Sequence, residues 1–115
     1  RAEFICWEYL TRQKHLKEGE DFLFQSSKFG GRRVFGGIVV DFNIFTRNLI
    51  WQPQGEIFHL LQPRDRARQL LEEQLLVSRG YTVVYLYYQD LLQRPQYVLN
   101  LAWNGVGVIN PIVDL

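Results

Sequence analysis

The feature that most constrains this chain is a pair of apolar runs joined by a short polar turn, followed by a helix and a third run. Val34 to Phe45 reads Val-Phe-Gly-Gly-Ile-Val-Val-Asp-Phe-Asn-Ile-Phe, and Leu49 to Gln54 reads Leu-Ile-Trp-Gln-Pro-Gln. β-Branched and aromatic residues in runs of this length predict strands. Thr46-Arg47-Asn48 between them is a hairpin turn, which makes the two strands antiparallel neighbours. Ala67, Leu70, Leu71, Gln74, Leu75 and Ser78 then follow helical spacing over 65–79, with the leucines expected to supply the buried stripe. Pro63-Arg64-Asp65 opens that helix and Gly80 caps it. Tyr81 to Tyr88 is a buried strand by composition. A helix between two strands of one sheet is a crossover, so this last strand runs parallel to its neighbour. The expectation is an α/β fold, a mixed four-stranded sheet flanked by helices.

The remaining segments fit around that frame. Residues 2–15 predict a largely buried first helix, with Phe4, Ile5, Trp7, Tyr9 and Leu10 spread over more than one face. Its basic end, Arg12, Lys14, His15 and Lys17, complements the helix dipole. Asp21 to Gln25 alternates as a short strand, and Ser26 to Arg33 is a polar glycine-containing loop. Gly36-Gly37 within the second strand predicts a bulge or a close backbone approach. Pro53 predicts an edge position or a break in the ladder. Asp90 reads as the start of a turn, Pro95 as the first turn of a helix running to about Trp103, and Val108 to Leu115 as an extended apolar tail.

With 115 residues and 47% hydrophobic side chains, the chain supports one domain, 1–115, with one core. Its single cysteine, Cys6, excludes an internal disulfide and sits among apolar neighbours as inert core, which fits a cytoplasmic setting, or a virion if the chain is phage-encoded. The formal net charge of +1 does not announce a nucleic-acid partner, although a local basic patch remains compatible with DNA. No run approaches the roughly 18 apolar residues of a membrane helix, so no membrane partner is expected. The start at Arg1 reads as a processed or trimmed piece, and nothing there resembles a secretion signal.

Four elements carry a family resemblance: Asp41-Phe42 ending a strand, Gly55-Glu56-Ile57-Phe58-His59, Asp65 opening a helix, and Gly80-Tyr81-Thr82-Val83-Val84 before the last strand. In these the chain resembles the restriction-endonuclease-like superfamily, the PD-(D/E)XK nucleases, with an αβββαβ core over roughly residues 2–90. It looks most like small domains of the very-short-patch-repair type and small phage-encoded proteins. The resemblance implies that Asp41 binds a divalent metal beside the scissile phosphate and that Glu3 matches a first-helix acid that supports it. Gln52 and Gln54 fall where such nucleases carry glutamate and lysine. A neutral amide at 52 supplies no second carboxylate for a hard cation, and Gln54 offers no ammonium to the transition state. Glu56 and His59 lie close enough in sequence to compensate.

Phosphodiester hydrolysis needs a cation at the phosphate, an activated water and a stabilised leaving oxygen. Asp41, Glu56 and Glu3 are the candidate oxygen ligands for Mg²⁺ or Mn²⁺, with His59 as acid or base. Each has a plainer reading. Asp41 is also a strand-end acid for Arg47 or Arg32, Glu56 a solvated loop acid, His59 a packing histidine, and Asp65 a helix-dipole acid. Lys28, Arg32 and Arg33 in the glycine loop are the better DNA contacts; Arg64, Arg66, Arg68 and Arg79 read as solvated charge balanced by Asp65, Glu72 and Glu73. Two functions stay open: a divergent metal-dependent DNA nuclease, or a nuclease fold whose site has decayed and that binds a protein partner or its own copies. Gln52, Gln54, the apolar tail and the many aromatics favour the second.

Overall fold

The structure is a computed structural model and describes residues 1–24, 33–35 and 37–112, with backbone alone at 33–35 and at His59. The first helix, α1, spans Ala2–Glu8 and continues as a wider π-helical turn over Tyr9–Gln13. Strands β1 (Leu23–Phe24), β4 (Phe42–Ile44), β5 (Leu49–Gln54) and β6 (Thr82–Tyr87) form the main sheet in the order β1-β4-β5-β6. β1 and β5 both run antiparallel to β4, whereas β6 runs parallel to β5. The sheet is therefore mixed and four-stranded, with helices on both faces. Helix α2 (Pro63–Ser78) makes the crossover between β5 and β6. Helices α3 (Tyr88–Gln93) and α4 (Pro95–Trp103) close the fold.

Alternation along β5 distributes the core over the two faces. Leu49 and Trp51 join Cys6, Tyr9, Phe42, Ile44, Val84, Leu86 and the α4 residues Val98, Leu99 and Ala102 on one face. Ile50 joins Ile38, Val40 and Leu76 on the other. Trp51 is fully buried, and its indole Nε1 donates to the Ala102 carbonyl at 3.0 Å. The hydrogen bond satisfies the ring's one polar atom and ties the central strand to α4. Trp7 and Trp103, both partly exposed, pack against the same core.

Several elements depart from the sequence expectation. The single strand expected over Val34–Phe45 is three short strands: β2 (Arg33–Phe35), β3 (Ile38–Val40) and β4. β2 and β3 pair with each other as a separate antiparallel hairpin. Gly37, at φ 86°, occupies its turn, so the glycine there reverses the chain rather than bulging a strand. Pro53 lies in the central strand, paired in register with Leu86 of β6. The β4 ladder has already ended at the Phe42–Trp51 pair, so the missing N–H falls where β5 has lost that partner. Asp90 does not begin a turn; it lies buried within α3.

The largest correction concerns α2. Only Leu76 of this helix is buried, while Leu70, Leu71, Leu75 and Val77 are 47, 57, 40 and 54% exposed. The sheet-facing side carries Asp65, Gln69 and Glu72, because most of that side stands over a polar cleft rather than over the apolar patch that Leu76 reaches. The first helix is also less buried than expected, with Phe4 55% exposed beside a half-buried Trp7.

Candidate functional site

The chain kinks at Asp41, between β3 and β4, where the first hairpin splays away from the main sheet. A splayed strand leaves backbone groups without their ladder partners. Gln52 on β5 supplies them. Its side-chain Oε1 accepts the Asp41 N–H at 2.7 Å, and its Nε2 donates to the Val39 carbonyl at 3.2 Å. One amide, donor and acceptor together, thus stands in for a strand backbone on both sides of the kink. Two residues on, Gln54 Nε2 donates to the Glu56 carbonyl at 2.7 Å and closes the turn after β5.

Beyond the kink a cleft of about 420 Å³ opens between the end of the sheet and α2. Asp41, Gln52 and Gln54 form its strand side together with Tyr85 of β6. Asp65, Arg68, Gln69 and Glu72 of α2 form the other. Asp65 and Arg68 form an ion pair at 3.4 Å. Burial, with Glu73 and Glu72 close by, pushes the Tyr85 hydroxyl well above its ordinary value. Burial first, then Glu73 and the cleft acid Glu72, therefore favour the protonated phenol.

Of the candidate catalytic, metal and DNA-contact residues, Asp41 and Gln54 are the two that the described residues place in this cleft, where Gln52 joins them. Glu56 is exposed in the turn after β5 and is not part of the lining. Glu3 is elsewhere too: its Oε2 accepts from the Tyr88 hydroxyl at 3.0 Å, and its Oε1 lies 3.8 Å from the N-terminal ammonium. Tyr88, expected at the end of a strand, instead opens α3 and places its ring 3.5 Å from where a side chain on Gly55 would begin. His59 lies on a single helical turn, Phe58–Leu60, and its side chain is outside the described residues. Lys28 and Arg32 also lie outside them, and Arg33 is described only as the first residue of β2.

Asp65 and Glu72 are the acids that join Asp41, and neither was read as a site residue. Asp65 sits in the first turn of α2, where a carboxylate favours the dipole whatever else it does. Glu72 follows Gln69 and Asp65 along one helical face, a signal hidden by the leucines expected to point the same way. Among the described residues, no three histidine, cysteine, aspartate or glutamate side chains cluster closely enough to hold one metal ion.

Cys6 lies fully buried in the core on the Trp51 face of the sheet, and burial, reinforced by Glu3 and Asp41, pushes its thiol far up, as inert core requires. Among the described residues no helix is long and apolar enough to cross a membrane. Compared with protein-family models, with curated proteins and with solved structures, the chain matches none of them.

Proposed function

We propose that this chain is a restriction-endonuclease-like domain that no longer cuts, kept as a binding or assembly module. The fold half of the reading draws on element order: a helix, an antiparallel meander through β1, β4 and β5, a crossover helix, then a parallel strand. The β2–β3 hairpin is an excursion between the first two strands of that meander.

One observation carries the functional half. The Gln52 amide, at the position where the resemblance puts the second metal-binding carboxylate, is engaged through both polar atoms in holding the backbone around Asp41. Hydrolysis by a bound cation needs oxygens that converge on the ion and a charge that activates water. Gln52 offers neither, and Gln54, in the lysine's place, is bonded to a backbone carbonyl. The test is incubation of supercoiled plasmid with the protein and Mg²⁺ or Mn²⁺. The reading expects no nicking above background and no difference between wild type and Asp41→Ala. Cleavage that Asp41→Ala abolishes refutes it.

A second reading, a metal-dependent DNA phosphodiester hydrolase, has one observation in its favour: Asp41, Asp65 and Glu72 line the same cleft. If it holds, Glu72→Gln abolishes cleavage as Asp41→Ala does, whereas Glu56→Gln and Glu3→Gln leave it unchanged.

A further inference from the structure

We propose that residues 105–112 are a releasable strap over the open edge of β6, and that the uncovered edge pairs with β6 of a second copy of this chain. This deepens the assembly reading above and rests on it, and the two fail separately. Asp41-dependent DNA cleavage would end that reading whatever the oligomeric state; copies that do not meet through β6 would end only the strap and its edge.

β6 is the last strand in the sheet order and has β5 on one side only. In their parallel ladder the Thr82 N–H donates to the Asn48 carbonyl, one residue before its register partner Leu49. Thr82, Val84 and Leu86 therefore turn their backbone groups to β5, and Val83 and Tyr85 turn theirs outward. Among the described residues, no backbone hydrogen bond reaches those outward groups. Proteins blunt such an edge with charge, proline, a bulge or very short length, or they cover it. The opposite edge strand, β1, has two residues. β6 is Thr-Val-Val-Tyr-Leu-Tyr, six residues with no charge and no proline, so a cover is what remains.

The chain after α4 supplies it. Gly105, at φ 77°, directs the chain so that a side chain begun there would meet Thr82 at 3.1 Å, and one begun at Gly107 would meet Val84 at 4.0 Å. Val106, Gly107 and Val108 then close a narrow hollow against four consecutive strand residues, Val84 to Tyr87. Neighbours in a strand point to opposite faces, so consecutive residues are met together at its edge. Yet the strap is not a fifth strand: among the described residues, no backbone bond joins it to β6. Val108 packs against the core, and the far end is held by a side-chain latch. Arg94 donates through Nε to Asp90 Oδ1 at 2.7 Å and through Nη2 to the Asn110 carbonyl at 2.6 Å, and the Ile112 N–H donates to the same Oδ1 at 3.2 Å. Asp90 Oδ2, buried beside the hollow, has no hydrogen-bond partner. A segment fixed at its ends and anchored by one valine between them opens without unfolding the sheet.

A second copy fits the uncovered edge. An antiparallel pairing about a two-fold axis at Val84 sets Val83 of each copy opposite Tyr85 of the other, and each such pair exchanges both backbone bonds. The cross-strand neighbours are then β-branched, aromatic or leucine, and no charge meets its like. The strap must leave first, so the apparent affinity is the intrinsic one reduced by the fraction of open chains.

The test is sedimentation velocity over a concentration series, on the full chain and two strap variants. Val108→Ser weakens the anchor; Ile112→Pro removes one N–H from the latch and leaves Arg94 on Asp90. Each is expected to tighten dimerisation roughly tenfold over wild type, with circular dichroism melts showing both proteins folded. Adding Val83→Pro, whose lost N–H points away from β5, is expected to return both to monomer. In the dimer, amide exchange at Val83 and Tyr85 is expected to slow. In the wild-type monomer, the Ile112 amide is expected to exchange roughly a hundredfold faster than that of Val84, which reports opening of the strap with the sheet intact. Strap variants that associate no more than wild type, leaving the edge idle or to a foreign strand, would overturn the proposal. So would a dimer that Val83→Pro leaves intact, or a wild-type Ile112 amide as protected as that of Val84.

Discussion

Replacing Gln52 with glutamate restores the carboxylate that the resemblance expects, and the structure gives a reason why the chain should not tolerate it. Glutamate keeps an acceptor for the Asp41 N–H but has no donor for the Val39 carbonyl, now bonded at 3.2 Å. It also sets a negative charge against that carbonyl and near the Asp41 carboxylate, at a half-buried position. Leaving a buried acceptor without its partner costs about 1–3 kcal/mol. For a domain of this size that corresponds to a fall in melting temperature of roughly 4–15 °C. The assay is a thermal or urea melt followed by the fluorescence of Trp51, which is fully buried in the native state. The pH dependence has a definite sign. A glutamate in this setting has its folded pKa raised, because the neutral acid can donate to Val39 and the anion cannot. The variant's deficit should therefore shrink on acidification and be fully expressed at neutral pH. A Gln52→Glu protein that melts with wild type at neutral pH, or one that Mn²⁺ stabilises through the new carboxylate, would refute the argument that this amide is a strand clamp.

Other perturbations follow from contacts elsewhere in the fold. Arg94→Ala removes the partner held 2.7 Å from the fully buried Asp90 carboxylate and should cost about 3–5 kcal/mol in urea unfolding. The same variant should speed hydrogen exchange at Ile112, whose N–H donates to Asp90, and adding Asp90→Asn should recover part of the loss. A native Cys6 that reacts with iodoacetamide at pH 8 as fast as the unfolded chain would contradict its burial; labelling is expected only on unfolding. Burial raises the hydroxyls of Tyr9, Tyr85 and Tyr87, so the native state holds their protons more tightly than the unfolded one. Stability should then be intact below about pH 10 and fall as pH rises beyond it, less steeply in Tyr85→Phe, as read from melts and from tyrosinate absorbance. Trp51→Phe should cost about 0.5–1.5 kcal/mol from the lost hydrogen bond, since the Ala102 carbonyl keeps the Gly105 N–H at 3.0 Å.

The sheet's order was legible because its signals are local. The hairpin between β4 and β5, the crossover by α2 and the proline start of α4 each rest on a few adjacent residues. The split of the expected second strand was less visible, since Val34 to Phe45 is apolar throughout and only Gly37 and Asp41 mark the reversals. The orientation of α2 was misread for a different reason. Its leucines and its acids both follow helical spacing, so periodicity identifies the helix without saying which face meets the sheet. A polar cleft at the strand ends decided it, and no local pattern announces such a cleft. The same holds for the site: Asp41 was visible as an acid in an apolar run, but whether Glu56 or Glu72 joins it depends on how the turn after β5 and α2 are placed. The role of Gln52 was equally hidden, because the backbone groups it satisfies become orphans only once β3 leaves the sheet.

On the function proposed above, the residues around Asp41 build a clamp and a cleft, not a catalytic metal centre. Titration of Mn²⁺ followed by its free-ion electron paramagnetic resonance signal, on wild type and Asp41→Ala side by side, tests it most directly. Two superimposable curves with no saturable site are expected. A single tight site in the wild type that Asp41→Ala removes would contradict it.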